Sequence, residues 1–110
     1  MADGFKDREK GFEAKWAHDE ELSFKVMARR NKLLGLWAAR EMGLTGGAAE
    51  DYAKAVIQAE FRKAGEDDVV AKLSTDFGAK KISQTESAIR RKMSDLLAIA
   101  GKQVMSEMKK

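Results

Sequence analysis

Residues 83–108 read SQTESAIRRKMSDLLAIAGKQVMSEM, and the fold is decided there. Ile89, Met93, Leu96, Leu97, Ala100, Val104 and Met108 recur at the spacing that gathers side chains on one face of an α-helix. Ser83-x-x-Glu86 has the spacing of a capping box, so the helix is expected to open there. The chain has no proline and is rich in Ala, Leu, Lys, Glu and Arg, which favours helix elsewhere too.

Three more amphipathic segments precede this one. Across Asp19 to Met42, Leu22, Val26, Leu33, Leu36 and Trp37 share a stripe widened by Met27 and Leu34. Gly43 suits a helix stop, and Thr45 to Gly47 suit a turn. Ala48 to Lys63 has Glu50 and Asp51 in its expected first turn, where carboxylates complement the helix dipole. Tyr52, Val56, Ile57 and Phe61 form its apolar side, and Arg62 and Lys63 before Gly65 mark its end. Glu66 to Phe77 places Val69, Val70, Leu73 and Phe77 together, with Gly78 as the expected stop. Each stripe needs a partner and the connections are short. The expectation is an all-α, compact four-helix bundle over residues 19–110, led by a mobile or partly helical N-terminal arm, residues 1–18.

At 110 residues, 44% hydrophobic and 35% charged, the chain is long enough for one domain with a core that needs no staple. The absence of cysteine excludes disulfides, a thiol nucleophile and cysteine-bound metal, and one histidine, His18, cannot form a histidine metal cluster. No stretch is long and apolar enough to cross a membrane, and the start MADGFKDREK lacks the apolar centre of a signal peptide. These features point to a bacterial or organellar interior. No nucleophile and base stand out as a pair, so no catalytic residue is assigned, no cofactor is required, and the chain is read as not an enzyme. Glu66-Asp67-Asp68 could hold Mg²⁺, but reads more simply as a helix start.

The charge is unevenly spread. Residues 1–20 carry six acids and four bases, whereas the rest carry 17 bases and 12 acids. In the arm, Phe5, Phe12 and Trp16 would align on one face of a helix, with nearly all charge between them. Three rings are a thin stripe for holding a helix to its own body, but are adequate anchors in a partner's groove. The alternative is that Phe12 and Trp16 extend the first helix and dock on the bundle.

On that helix, Arg29 falls at the angle of Leu22 and Leu36, and Arg30 lies between Trp37 and Leu34. Arg90 borders the apolar face of the last helix. Guanidiniums beside an apolar stripe must snorkel to carboxylates or meet an anion. In the second case Arg29, Arg30 and Arg90 would hold a nucleotide phosphate, with Trp37 free to stack on a base. Arg90-Arg91-Lys92 spreads around the helix instead of lining one groove-facing side, so nucleic acid is not expected as a partner.

The stretch FKDREKGFEAKWAHDEELSFKVMARRNKLLGLWAAREMGL, residues 5–44, resembles the alphaproteobacterial zeta subunit, the ATPase-inhibitor subunit of F-type ATP synthase. The resemblance rests on Asp7-Arg8-Glu9, Glu13, Lys15, Ala17-His18-Asp19, Glu21-Leu22, Phe24-Lys25, Ala28-Arg29-Arg30-Asn31, Leu33-Leu34-Gly35 and Trp37-Ala38-Ala39. It continues through Ala64-Gly65, Asp68-Val69, Arg90-Arg91-Lys92-Met93 and Leu96; Trp16 and the stretch Ala79 to Thr85 depart from it. The resemblance implies a four-helix regulatory protein that binds the catalytic sector of the ATP synthase and blocks ATP hydrolysis. It would be cytoplasmic and peripherally associated with the membrane-bound enzyme. The inhibitory element would be the arm, helical as it enters a catalytic interface, with Phe5, Arg8, Phe12 and Trp16 as contacts. The resemblance also implies ADP or ATP binding to the body, for which Arg29, Arg30, Asn31, Trp37 and Arg90 are the candidates. A free-standing adenine-nucleotide-binding helical protein is the alternative, and a nucleic-acid-associated helical domain ranks below it.

Overall fold

The computed structural model describes residues 19–62 and 66–108, with side chains for 19–59 and 66–108. They form four helices: α1 (Glu20–Glu41), α2 (Gly46–Arg62), α3 (Glu66–Ala79) and α4 (Glu86–Met108). α1 packs on α2 and α4, and α3 closes the ring against the same two. Gly35 against Ala53, and Phe24 sharing a cleft with Ile57, set α1 and α2 antiparallel. Trp37 beside Lys92 and Arg29 bound to Glu107 do the same for α1 and α4. The expected four-helix bundle is the fold of the described residues.

Local chemistry sets each helix end. Asp19 is extended, and its Oδ1 accepts from the amides of Glu21 (3.0 Å) and Leu22 (3.1 Å), capping α1. Asp19→Ala is expected to cost about 1 kcal/mol. Thermal unfolding should register it as a fall of roughly 4–8 °C in Tm, and an unchanged Tm would deny the cap any role. At the other end, Gly43 takes φ +79°, its N–H donates to Arg40 O (3.1 Å), and that of Leu44 donates to Ala39 O (2.8 Å). This is a Schellman closure with glycine in the left-handed position.

α3 ends in the same closure without glycine. Lys81 holds φ +59°, its N–H reaches Gly78 O (3.0 Å), and that of Ile82 reaches Phe77 O (2.8 Å). The expected stop at Gly78 is therefore corrected: Gly78 lies inside the helix, which runs on to Ala79. Ile82 packs against the core, and that contact sets the turn despite the strain of a left-handed lysine. Two other boundaries also move. α2 begins at Gly46, which leaves Glu50 and Asp51 beyond its first turn. α4 is capped by Thr85, whose Oγ1 accepts from the Ala88 amide (3.0 Å), so the box expected from Ser83 does not form. Ser83 lies between Ile82, used by the closure of α3, and Gln84, whose Nε2 donates to Glu41 (2.9 Å).

The main core gathers Leu34 and Ala38 of α1, Val56 of α2, Val69, Val70, Leu73 and Phe77 of α3, and Ile89, Met93 and Leu96 of α4. A smaller cluster of Val26, Ala100 and Val104 lies nearer the N-terminal end of α1. The buried face of α1 is centred on Val26, Arg30, Leu34 and Ala38, rotated from the expected stripe, and Leu22 and Leu36 fall on its margins. Small residues cause the rotation. A Cβ built on Gly35 would sit 2.6 Å from Ala53 Cα, so α1 and α2 meet there almost backbone to backbone.

Candidate functional site

The arginines are fixed by carboxylates on other helices. Arg29 grips Glu107 through both terminal nitrogens (Nη1–Oε2 2.7 Å, Nη2–Oε1 2.8 Å) and also donates to Gln103 (2.9 Å). Its hydrogen bond to Glu107 makes the guanidinium still harder to deprotonate, more than offsetting the opposite pull of burial. The fork matches the carboxylate edge and ties α1 to the last turns of α4. Arg90 joins Asp67 on α3 (2.8 Å) to Glu86 on its own helix (3.0 Å). Both follow the reading in which guanidiniums snorkel to bundle carboxylates.

Arg30 and Asn31 lie deeper, 3% and 0% exposed, with Arg30 Nε donating to Asn31 Oδ1 (3.1 Å). Trp37 meets Phe77 edge to face, with centroids 5.7 Å apart and planes at 78°, and Lys92 Nζ stands 5.6 Å from its centroid. The five candidate nucleotide residues do not converge. Arg29, Arg30, Asn31 and Trp37 share α1, whereas Arg90 is thirteen residues from Gln103 along α4, roughly 20 Å away. Phe5, Arg8, Phe12 and Trp16 lie outside the described residues, as does His18. Among the described residues, no three Asp, Glu, His or Cys side chains are grouped to hold a metal.

Sequence reasoning missed a polar tie between α2 and α3. Tyr52 Oη donates to Asp76 Oδ2 (2.7 Å), Lys72 Nζ reaches the same oxygen (3.0 Å), and Lys72 lies 5.1 Å from the Tyr52 ring centroid. Burial, then the Asp76 bond and charge, push the Tyr52 phenol far above its usual range, so it stays protonated as a donor. The i,i+4 spacing of Lys72 and Asp76 was the available signal; Tyr52 read only as apolar surface. Glu107 and Gln103 were missed too, because nothing local tells which helix end meets Arg29.

Two clefts adjoin on the side of α1 that faces α2. One, of about 530 Å³, is bordered by Phe24, Ala28, Ile57, Val104 and Met108 with Lys25, Arg29, Lys32 and Glu107. The other, of about 510 Å³, lies between Leu36, Ala53 and Ile57 with Lys32, Lys54 and Glu50. No helix of the described residues is long and apolar enough to cross a membrane.

The described residues form an all-helical bundle domain braced by ion pairs between helices, with a buried arginine and asparagine and two apolar clefts. The chain belongs to the ATPase inhibitor subunit zeta family, whose model matches residues 1–103. A protein solved by solution NMR is 42% identical, with a TM-score of 0.69; the match covers 78% of this chain and 98% of that one. No curated protein matches the chain.

Proposed function

We propose that the chain inhibits ATP hydrolysis by the F-type ATP synthase through its leading segment, residues 1–18, lodged in a catalytic interface. The family match supports this reading, because it begins at residue 1 and so takes in the arm as well as the body. The described bundle supplies a cross-braced base: Arg29 and Arg90 each join α4 to another helix. In this reading the arm gains helical order as it enters the host, and that ordering cost keeps binding reversible. Phe5, Phe12 and Trp16 fill apolar pockets, and Arg8 meets an acidic group at the mouth. Lodged there, the arm opposes the opening and closing that hydrolysis requires. The chain acts at the periphery of the membrane-bound enzyme, on its cytoplasmic side, with no chemistry of its own.

Adenine-nucleotide binding to the body gains no support of its own. Arg29 and Arg90 already hold carboxylates, and the Trp37 ring meets Lys92 and Phe77.

The test compares the intact chain with Phe5→Ala, Phe12→Ala and Trp16→Ala combined, both added to the purified cognate ATPase. Aromatic anchors at a binding centre are each worth about 2 kcal/mol or more, so inhibition should weaken at least roughly tenfold. Equal inhibition by both proteins would remove the arm from the mechanism.

A further inference from the structure

The described residues expose three large apolar side chains, Phe24, Ile99 and Met108. Two of them, Phe24 and Met108, share one cleft with Ile57 and Val104. That cleft continues into the second one between α1 and α2, since Lys32 and Ile57 border both. The joined groove follows α1 from Phe24 to Leu36, roughly 18 Å, the length of about three turns of a helix lying along it.

Its charge is unbalanced. Arg29 is held by Glu107, but Lys32 and Lys54 make no ion pair or hydrogen bond among the described residues, and only Glu50 answers them on the groove. The groove also begins near the first described residue: Phe24 is five residues from the cap Asp19, about 7.5 Å of helix. A host that holds the arm therefore faces this end of the bundle.

Resting on the inhibitory role proposed above, we propose that this groove docks an acidic amphipathic helix on the surface of the ATPase catalytic sector, beside the entry point of the arm. Apolar side chains of that helix cover Phe24, Ile57, Val104 and Met108, and its carboxylates meet Lys32 and Lys54. Large apolar anchors in a groove with charges on its rim are the usual terms on which a helix is captured. The groove supplies affinity and orientation; the arm supplies inhibition.

The experiment uses the full chain and the purified catalytic sector, titrating inhibition of ATP hydrolysis and direct binding at low and high salt. The variants are Lys32→Glu with Lys54→Glu, and separately Phe24→Ala with Met108→Ala. The lysine pair is exposed, so reversing it should leave the melting temperature nearly unchanged. Charge reversal is expected to raise the half-inhibitory concentration at least tenfold and to flatten its salt dependence, with full inhibition still reached at saturation. If the natural sequence inhibits and both variants titrate like it, the groove is not an interface, although the inhibitory role stands. If the natural sequence neither binds nor inhibits, both fall together. Sedimentation showing a dimer that charge reversal dissociates would make a second copy the occupant. Methyl signals of Ile57 and Val104 that move when Phe12 and Trp16 are substituted in the free protein would make it the chain's own arm. Either result overturns the proposal.

Discussion

Gly35→Val is expected to destabilise the bundle by about 3 kcal/mol, the upper end of what overpacking usually costs. The reason is positional. A Cβ at Gly35 would lie 2.6 Å from Ala53 Cα, 3.1 Å from its Cβ and 3.3 Å from Val56 Cβ. The first of these is backbone and cannot turn aside, so α2 must move away from α1, loosening the groove bordered by Lys32, Leu36 and Ile57. Gly35→Ala should cost less, since a gain of about 1 kcal/mol in helix propensity offsets part of the clash. Gly78→Ala is the matched control: Gly78 is also helical, but its Cβ would meet nothing within 4 Å, and stability should rise by about 0.5–1 kcal/mol. Thermal unfolding of the three variants checks the set. Gly35→Val should melt roughly 10–20 °C lower and Gly78→Ala a few degrees higher. Similar melting of Gly35→Val and the parent would show that the close approach is not sustained in solution.

Phe77→Ala is the second large effect, expected at about 3–5 kcal/mol. Phe77 is 1% exposed and heads the fully buried side chains by volume among the described residues. Removing its ring empties the centre of the main core and takes away the edge-to-face partner of Trp37. It also loosens the packing beneath the turn at Lys81, because Ile82 packs against the core cluster to which the Phe77 ring belongs. Urea unfolding followed by tryptophan fluorescence reads both consequences, a lower midpoint and a change in the native signal as Trp37 loses its neighbour. Phe77→Leu, which refills most of the space, should recover much of the loss. A midpoint for Phe77→Ala near that of the parent would mean that the core repacks around the gap.

How much of this was legible in the sequence depends on how local each signal is. The four helices follow from apolar spacing alone, and Val69, Val70, Leu73 and Phe77 read as a face and pack as one. Gly43 was legible because the left-handed turn it makes is glycine's usual place. Lys81 was not, since the core contact of Ile82 makes a lysine adopt that conformation while Gly78 continues the helix. Thr85 displaced Ser83 as the cap for a similar reason: neighbours on other elements decide where α4 can begin. The arginines stood out by their angles on α1 and α4, but Glu107 and Asp67, which hold them, are distant in sequence. Gly35 read only as part of a family pattern, because close approach of two backbones leaves no trace in hydrophobic periodicity.

The grip of Arg29 on Glu107 brings the last described turns of α4 alongside α1. An affinity handle or surface tether attached at that end of α4 would thus crowd the end of α1 nearest Asp19. The turn around Lys80 and Lys81 belongs to the far pole, where Gln84 meets Glu41 at the other end of α1. Immobilisation there would leave the Asp19 end of α1 clear for whatever is flowed past it.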